Sequence, residues 1–262
     1  MRRYLTLLAL QLKLSLLLSL QYRLDFVVGA VLSLFWTAIA LIPLLVLFSG
    51  RKTVAGWKAD EALVVVAWFT VLKGVLDGAI RPALQTVVEQ VRKGTLDFLL
   101  LKPADAQFLV STARFELPKL VDVASGLAIL VIALGRLGHV PSPQAVALTL
   151  LLLCGAVLIL YSIWILVIAL AFILVKVDNL SFLFASVYDA ARGPASVYRG
   201  ALAILFTFVI PLAVMTTFPA LAILERLELW RAGLALVGAL AFTGIARVVW
   251  LRALRRYTSA GG

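Results

Sequence analysis

The sequence predicts an all-α integral membrane protein with six transmembrane helices, and three observations carry that reading. Of its 262 residues, 63% are hydrophobic and only 14% charged, whereas a soluble domain is nearer half apolar and a quarter charged. The mean hydropathy is +1.09. Apolar stretches of about 20 residues recur along the chain, the length a helix needs to cross a bilayer with every backbone amide paired inside its own segment. They fall at 26–49, 62–80, 120–137, 145–175, 201–224 and 232–250, so that 1–262 reads as a single transmembrane domain. The fourth stretch is long enough to tilt or to continue past the bilayer as helix.

The formal charge of +11 would point to nucleic acid in a soluble protein. Here the placement of the charges matters more than their sum. With the N-terminus in the cytoplasm, 17 of the 24 Lys and Arg fall on the cytoplasmic side, six on the outer side, and Lys73 lies within a span. That asymmetry predicts a multi-pass protein of a cell membrane with both termini cytoplasmic, and no nucleic-acid partner. One cysteine, Cys154, and one histidine, His139, exclude a disulfide framework and the usual Cys and His metal sites.

Residues 1–24 start with Arg2 and Arg3 and continue in leucines, like a secretory leader. Lys13 interrupts the apolar run and no small-x-small cleavage site follows, so no cleavage is expected. Alternation over 10–16 resembles a strand, but an unpaired strand at a membrane surface leaves its amides unsatisfied, and an interfacial helix is expected instead.

The loop after the second span, 81–119, is far longer than the turn it must make, whereas the outer loops have about ten residues or fewer. Leu84, Val87, Val88 and Val91 recur at helical spacing, with Glu89, Arg92 and Lys93 opposite. This predicts an amphipathic helix stopping at Gly94. Thr95 is placed to cap a short second helix with Asp97 near its start, Pro103 ends the run Phe98 to Leu101, and another helix leads on from Asp105, with Pro118 as the break before the third span. The mixed charges Glu89, Arg92, Lys93, Asp97 and Lys102 would face the cytoplasm above an apolar anchor formed by Phe98 to Leu101. Such an element suits docking on a soluble protein; the alternative is a connecting hairpin lying on lipid headgroups.

At these residues the chain resembles the permease subunits of ABC-2 type ABC transporters, whose inner loop carries an acidic residue, a basic pair and then Gly-Thr-Leu-acid-x-Leu-Leu-x-x-Pro. Here these are Glu89, Arg92, Lys93, Gly94, Thr95, Leu96, Asp97, Leu99, Leu100 and Pro103. More closely it is similar to a prokaryotic subgroup reading LDFLLLKP followed by an acid, as Leu96 to Pro103 and Asp105 do. Tyr22, Arg23, Asp25 and Phe26 match that subgroup before the first span, Asp77 and Gly78 near the end of the second, and Phe208, Pro211 and Pro219 in the fifth. Before the fifth span it usually has Arg-Tyr-Pro, where this chain has Arg192, Gly193 and Pro194, with Tyr198 following.

The resemblance implies a six-span permease of a prokaryotic inner membrane, of exporter type, that pairs with a second permease, identical or paralogous. It also implies two cytoplasmic ATPase subunits that contact the 81–119 loop and carry the ATP and magnesium. The chain has no G-x-x-x-x-G-K-[ST] phosphate loop. No cofactor is therefore expected to bind this subunit directly, and it is not expected to be an enzyme. A self-contained secondary transporter or channel is the alternative, with Lys73 and Asp77 as its only ionic constellation and no visible pattern of interrupted inverted repeats.

Lys73 and Asp77 lie four apart on one helical face of the second span. Charges at that depth are costly unless paired or hydrated, so they either line a polar pathway or form an interhelical clasp; Asp122 near Lys119 reads the same way. Pro211 and Pro219 each remove an internal hydrogen bond from the fifth span, which permits a bend that serves either a gate or mere packing. Trp57, Trp68, Trp230 and Trp250 fall near span ends, where tryptophans anchor at the membrane interface. Tyr161 and Trp164 read as packing residues of the fourth span.

Overall fold

The computed structural model describes residues 2–171, 189, 211 and 213–256, and among these there is no strand beyond one isolated bridge, Val54 to Trp57. Helices α1 (Arg2–Gln21) and α2 (Arg23–Phe48) are parted by Tyr22 alone. Helix α3 (Ala59–Val75) runs through a π-helical turn, Leu76–Ile80, directly into α4 (Arg81–Arg92). Two short helices follow, α5 (Leu96–Leu100) and α6 (Ala106–Ser111), then a 3₁₀ turn, Leu117–Lys119. The remaining elements are α7 (Leu120–Leu137), α8 (Pro143–Ala171), a second π-helical turn, Ala213–Thr217, α9 (Phe218–Ile223) and α10 (Leu229–Arg255).

Six helices among the described residues are long and apolar enough to cross a membrane. Five of them are the expected spans one to four and six. The other is α1, which has the length of a span yet touches the 81–119 segment at two separated places: the Tyr4 hydroxyl accepts from the Asp105 amide at 3.3 Å, and the Ser15 hydroxyl from the Phe115 amide at 3.1 Å. The expected fifth span falls mostly outside the described residues; its last part is the π-helical turn and α9.

Helix α3 is the axis of the bundle, buried along most of its length. It crosses α7 with backbones in contact. A Cβ on Gly126 would lie 2.8 Å from the Val71 nitrogen, and one on Gly74 would lie 2.8 Å from the Val123 nitrogen, so hydrogen is the one side chain that fits at either position. Membrane helices gain from such close approach because dispersion contacts, not apolar transfer, hold them together. Helix α10 uses small residues in the same way, turning Ala232, Ala235, Ala239 and Ala246 inward.

Buried apolar residues form two large clusters and a small third one of Leu152, Ala222, Ala232 and Ala235. At the end carrying 81–119, hereafter the loop end, Leu84, Val87, Leu96, Leu99 and Leu109 pack with Leu160, Trp164 and Ile168 of α8. At the far end Trp57, Trp68, Leu130, Ala133 and Ile223 form a second cluster. The tryptophan expectation is corrected here: Trp57, Trp68 and Trp250 are buried within protein, and Trp230 is 62% exposed. Trp230 donates to Glu228 at 2.8 Å and lies under the Arg231 guanidinium, with a rim residue's mixture of contacts.

Candidate functional site

Helix α4 buries Ala83, Leu84, Val87 and Val88 and exposes Glu89, which pairs at 3.6 Å with the exposed Lys93 just after the helix. It ends as the sequence predicts, at Gly94, whose φ of +66° places it in the left-handed region. The Gly94 amide donates to the Val91 carbonyl and the Thr95 amide to the Gln90 carbonyl, the paired bonds that close a helix on a glycine. Thr95 precedes α5, but its side chain makes no capping bond. The apolar run is divided rather than being one anchor: Leu96 and Leu99 are buried, whereas Phe98 and Leu101 are 70% and 81% exposed. Lys102 and Pro103 are exposed beside them. Phe98, Leu101, Glu89, Lys93 and Lys102 are thus the exposed apolar and charged side chains of this segment. Arg92 closes the last turn of α4, and Asp97 sits half-buried in the first turn of α5.

Asp105 caps α6, its carboxylate accepting from the Phe108 amide at 3.0 Å. Both of its oxygens also take Arg247 of α10, one from Nη2 and the other from Nη1 at 3.2 Å. The Arg247 hydrogen bond is the main reason the Asp105 carboxyl titrates below the ordinary carboxylate range, the capping bond adding to it and burial opposing. Arg247 Nη1 donates further to the Gln107 carbonyl oxygen at 2.6 Å, Gln107 donates to the Tyr161 hydroxyl at 2.9 Å, and that hydroxyl meets Ser111 at 2.7 Å. The chain Asp105, Arg247, Gln107, Tyr161 and Ser111 therefore fastens α6 to α8 and α10. Sequence reading placed Arg247 only among the orientation charges and Tyr161 among packing residues; the available signal was a lone charge inside the apolar run 232–250.

A second polar ladder climbs α3 through the π-helical turn. Arg81 donates to Asp77 at 3.2 Å, Asp77 lies 3.4 Å from Lys73, and Lys73 reaches Asp189 at 2.5 Å. Asp189 was not singled out from sequence, since nothing local to it predicts a partner 116 residues away. The wide turn changes where backbone carbonyls point, and the Gly78 carbonyl accepts from the Glu116 amide at 2.8 Å. The chain's return toward the membrane is thereby pinned to the Asp77-Gly78 step.

Asp122 is 5% exposed. Ser33 of α2 donates to it at 3.2 Å, Lys119 lies 3.8 Å away, and Lys119 also donates to Ser33 at 3.3 Å. These three join α2 to α7. Pro211 accepts through its carbonyl from Val214 and Met215, and Pro219 is buried in the first turn of α9 directly after the π-helical turn. Arg192, Gly193, Pro194, Tyr198 and Phe208 lie outside the described residues. Between α1, α2, α4 and 113–118 opens a cleft of about 750 Å³ that carries Asp25, Glu89, Arg114 and Glu116.

Helices of spanning length with internal charges paired across them define a multi-pass helical membrane protein. A family model described as "ABC-2 family transporter protein" matches residues 34–261, and the chain belongs to that family, whose members are the membrane-spanning permease components of ABC transporters. Comparison with curated proteins and with solved structures gives no match.

Proposed function

We propose that this chain is the permease subunit of an ATP-driven, exporter-type ABC transporter, and that α4, α5 and α6 receive the motion of a separate ATPase subunit. The observation that carries this reading is the connectivity of that surface. Helix α4 is continuous with α3, the axis of the bundle, and α6 is fastened through Asp105 and Gln107 to α10 and α8. A push on Glu89, Lys93, Phe98 or Leu101 thus has stiff routes to three spans at once.

Each part has a stated role. Glu89, Arg92, Lys93, Asp97 and Lys102 meet the ATPase by charge, Phe98 and Leu101 by apolar contact. Gly94, Thr95, Leu96 and Pro103 shape the surface, and Asp105 ties it to the spans. Helix α1 lies along the membrane interface beside the loop. ATP and magnesium bind the partner, and substrate passes at the interface with a second permease, identical or paralogous. Lys73, Asp77 and Asp122 act as interhelical clasps. Pro211 and Pro219 set the bend of the fifth span.

The test is copurification from gently solubilised native membranes, followed by transport with ATP or a proton gradient as the sole energy source. A bound ATPase and ATP dependence are expected. A protein free of any ATPase and driven by the gradient would overturn the reading in favour of a secondary transporter. Within it, Glu89→Ala and Asp97→Lys are each expected to weaken ATPase association or to uncouple hydrolysis from transport.

A further inference from the structure

At the far end of the bundle, away from the 81–119 segment, a crevice of about 410 Å³ lies between α2, α3 and α7. Leu41, Leu44 and Phe48 of α2, Leu63 of α3 and Ile129 of α7 form its walls, and its mouth carries Asp60 and Arg136. These two charges lie 3.8 Å apart with side chains 37% and 65% exposed. The volume and the lining, mostly apolar with a few polar groups at one end, are those of a small-ligand site of about 300–1,000 Å³. The crevice opens sideways, where Leu45 and Ile132 are 69% and 52% exposed, and the spans around it put that opening in the bilayer.

We infer that this crevice holds one acyl chain of a zwitterionic phospholipid, with the headgroup phosphate on Arg136 and the ammonium on Asp60. An apolar crevice facing lipid forfeits dispersion contacts on every wall it leaves unfilled, water has no polar partner inside it, and the acyl chain is the apolar species at hand. The mouth selects the headgroup. An exposed ion pair at 3.8 Å is worth little by itself, so separating it costs little. Its two unlike charges complement a headgroup that has a phosphate and an amine. A headgroup with only an anion leaves Asp60 facing that anion, and a neutral diacylglycerol meets neither charge. This inference does not depend on the coupling role of the other end.

The test is native mass spectrometry of the delipidated protein with added phosphatidylethanolamine, phosphatidylglycerol or diacylglycerol of the same chain length. One phosphatidylethanolamine per chain is expected, retained about threefold to fivefold over phosphatidylglycerol, the size of one exposed ion pair. Asp60→Asn should bring the two lipids to parity, and Leu44→Trp, which fills the crevice, should abolish the bound-lipid mass. Asp60→Asn alters only the mouth, so it keeps the test decisive if Leu44→Trp fails to fold. Equal retention of all three lipids, or a preference unchanged by Asp60→Asn, would overturn the assignment. So would a Leu44→Trp protein that keeps its lipid while a dimer falls apart, because the crevice would then be a contact between copies.

Discussion

Asp105 and Arg247 stand 142 residues apart and meet through both carboxylate oxygens and both terminal guanidinium nitrogens. One residue starts the helix that leads back from the loop, and the other sits in the last described helix. The pair ties the loop directly to α10. Reversing one partner, as in Arg247→Asp, is expected to cost about 1 kcal/mol of stability at this partly exposed site and to reduce ATP-driven transport more than ATP hydrolysis. The double reversal Asp105→Arg with Arg247→Asp should recover part of the coupling; unrecovered coupling with normal ATPase binding would show that the bond does not transmit motion.

The same pair has an acid limb of known sign. Asp105 titrates below the ordinary carboxylate range, chiefly through its Arg247 hydrogen bond, so its charged form is favoured in the folded protein. Its contribution is fully present above the ordinary carboxylate pKa and is lost as the pH falls through the lowered value. Melting curves of the detergent-solubilised protein should therefore show an acid-induced loss that Asp105→Asn removes. Equal acid sensitivity of wild type and variant would place the titrating group elsewhere.

Lys73 faces two carboxylates, Asp77 and Asp189. Removing its charge leaves Asp77 to Arg81 alone and takes one partner from Asp189, and Lys73→Met is expected to destabilise by about 1–2 kcal/mol at this partly exposed site. Replacing Lys73 and Asp77 together by leucine should restore part of that stability and leave transport working, as a clasp requires. Loss of transport by a double variant that melts normally would instead give these residues a role in the substrate path.

The crossing of α3 with α7 admits no added methyl group. Gly126→Ala would press a Cβ to 2.8 Å from the Val71 nitrogen and 2.9 Å from the Ala67 carbonyl, with an expected cost of about 1–3 kcal/mol from overpacking. Gly233→Ala in α10 meets nothing within 4 Å and should be neutral or stabilise by up to about 1 kcal/mol through helix propensity. Thermal unfolding of the two variants side by side measures the difference, and similar melting temperatures would contradict the contact.

What was legible in the sequence was whatever the helix period and local chain chemistry specify. Span three was read as 120–137 and is α7, Leu120–Leu137. The stop of α4 at Gly94 was read from one glycine after an amphipathic run, and the positive φ there is the local reason. A helix leading on from Asp105 is likewise a local expectation, and α6 starts there, with the Asp105 carboxylate on the Phe108 amide. The division of Phe98 to Leu101 into buried and exposed positions was not legible, because a short apolar run has no period long enough to assign its faces. Nor was the burial of Trp57, Trp68 and Trp250, since aromatic residues near span ends carry the same composition whether they face headgroups or neighbouring helices.

The amino-acid sequence by itself determined that the chain enters a membrane, where spans one to four and six lie, and where its long loop is punctuated. Each of those is decided within about 20 residues, by the need to pair every backbone amide in lipid and by the turn chemistry of single residues. Tertiary structure alone decided the distant partners of the charges: Asp105 with Arg247, Lys73 with Asp189 and Asp122 with Ser33. A buried charge must find an opposite charge or a hydrogen-bond donor wherever the packing brings one. That meeting depends on which helix faces close against each other, as at Gly74 and Gly126, and not on distance along the chain.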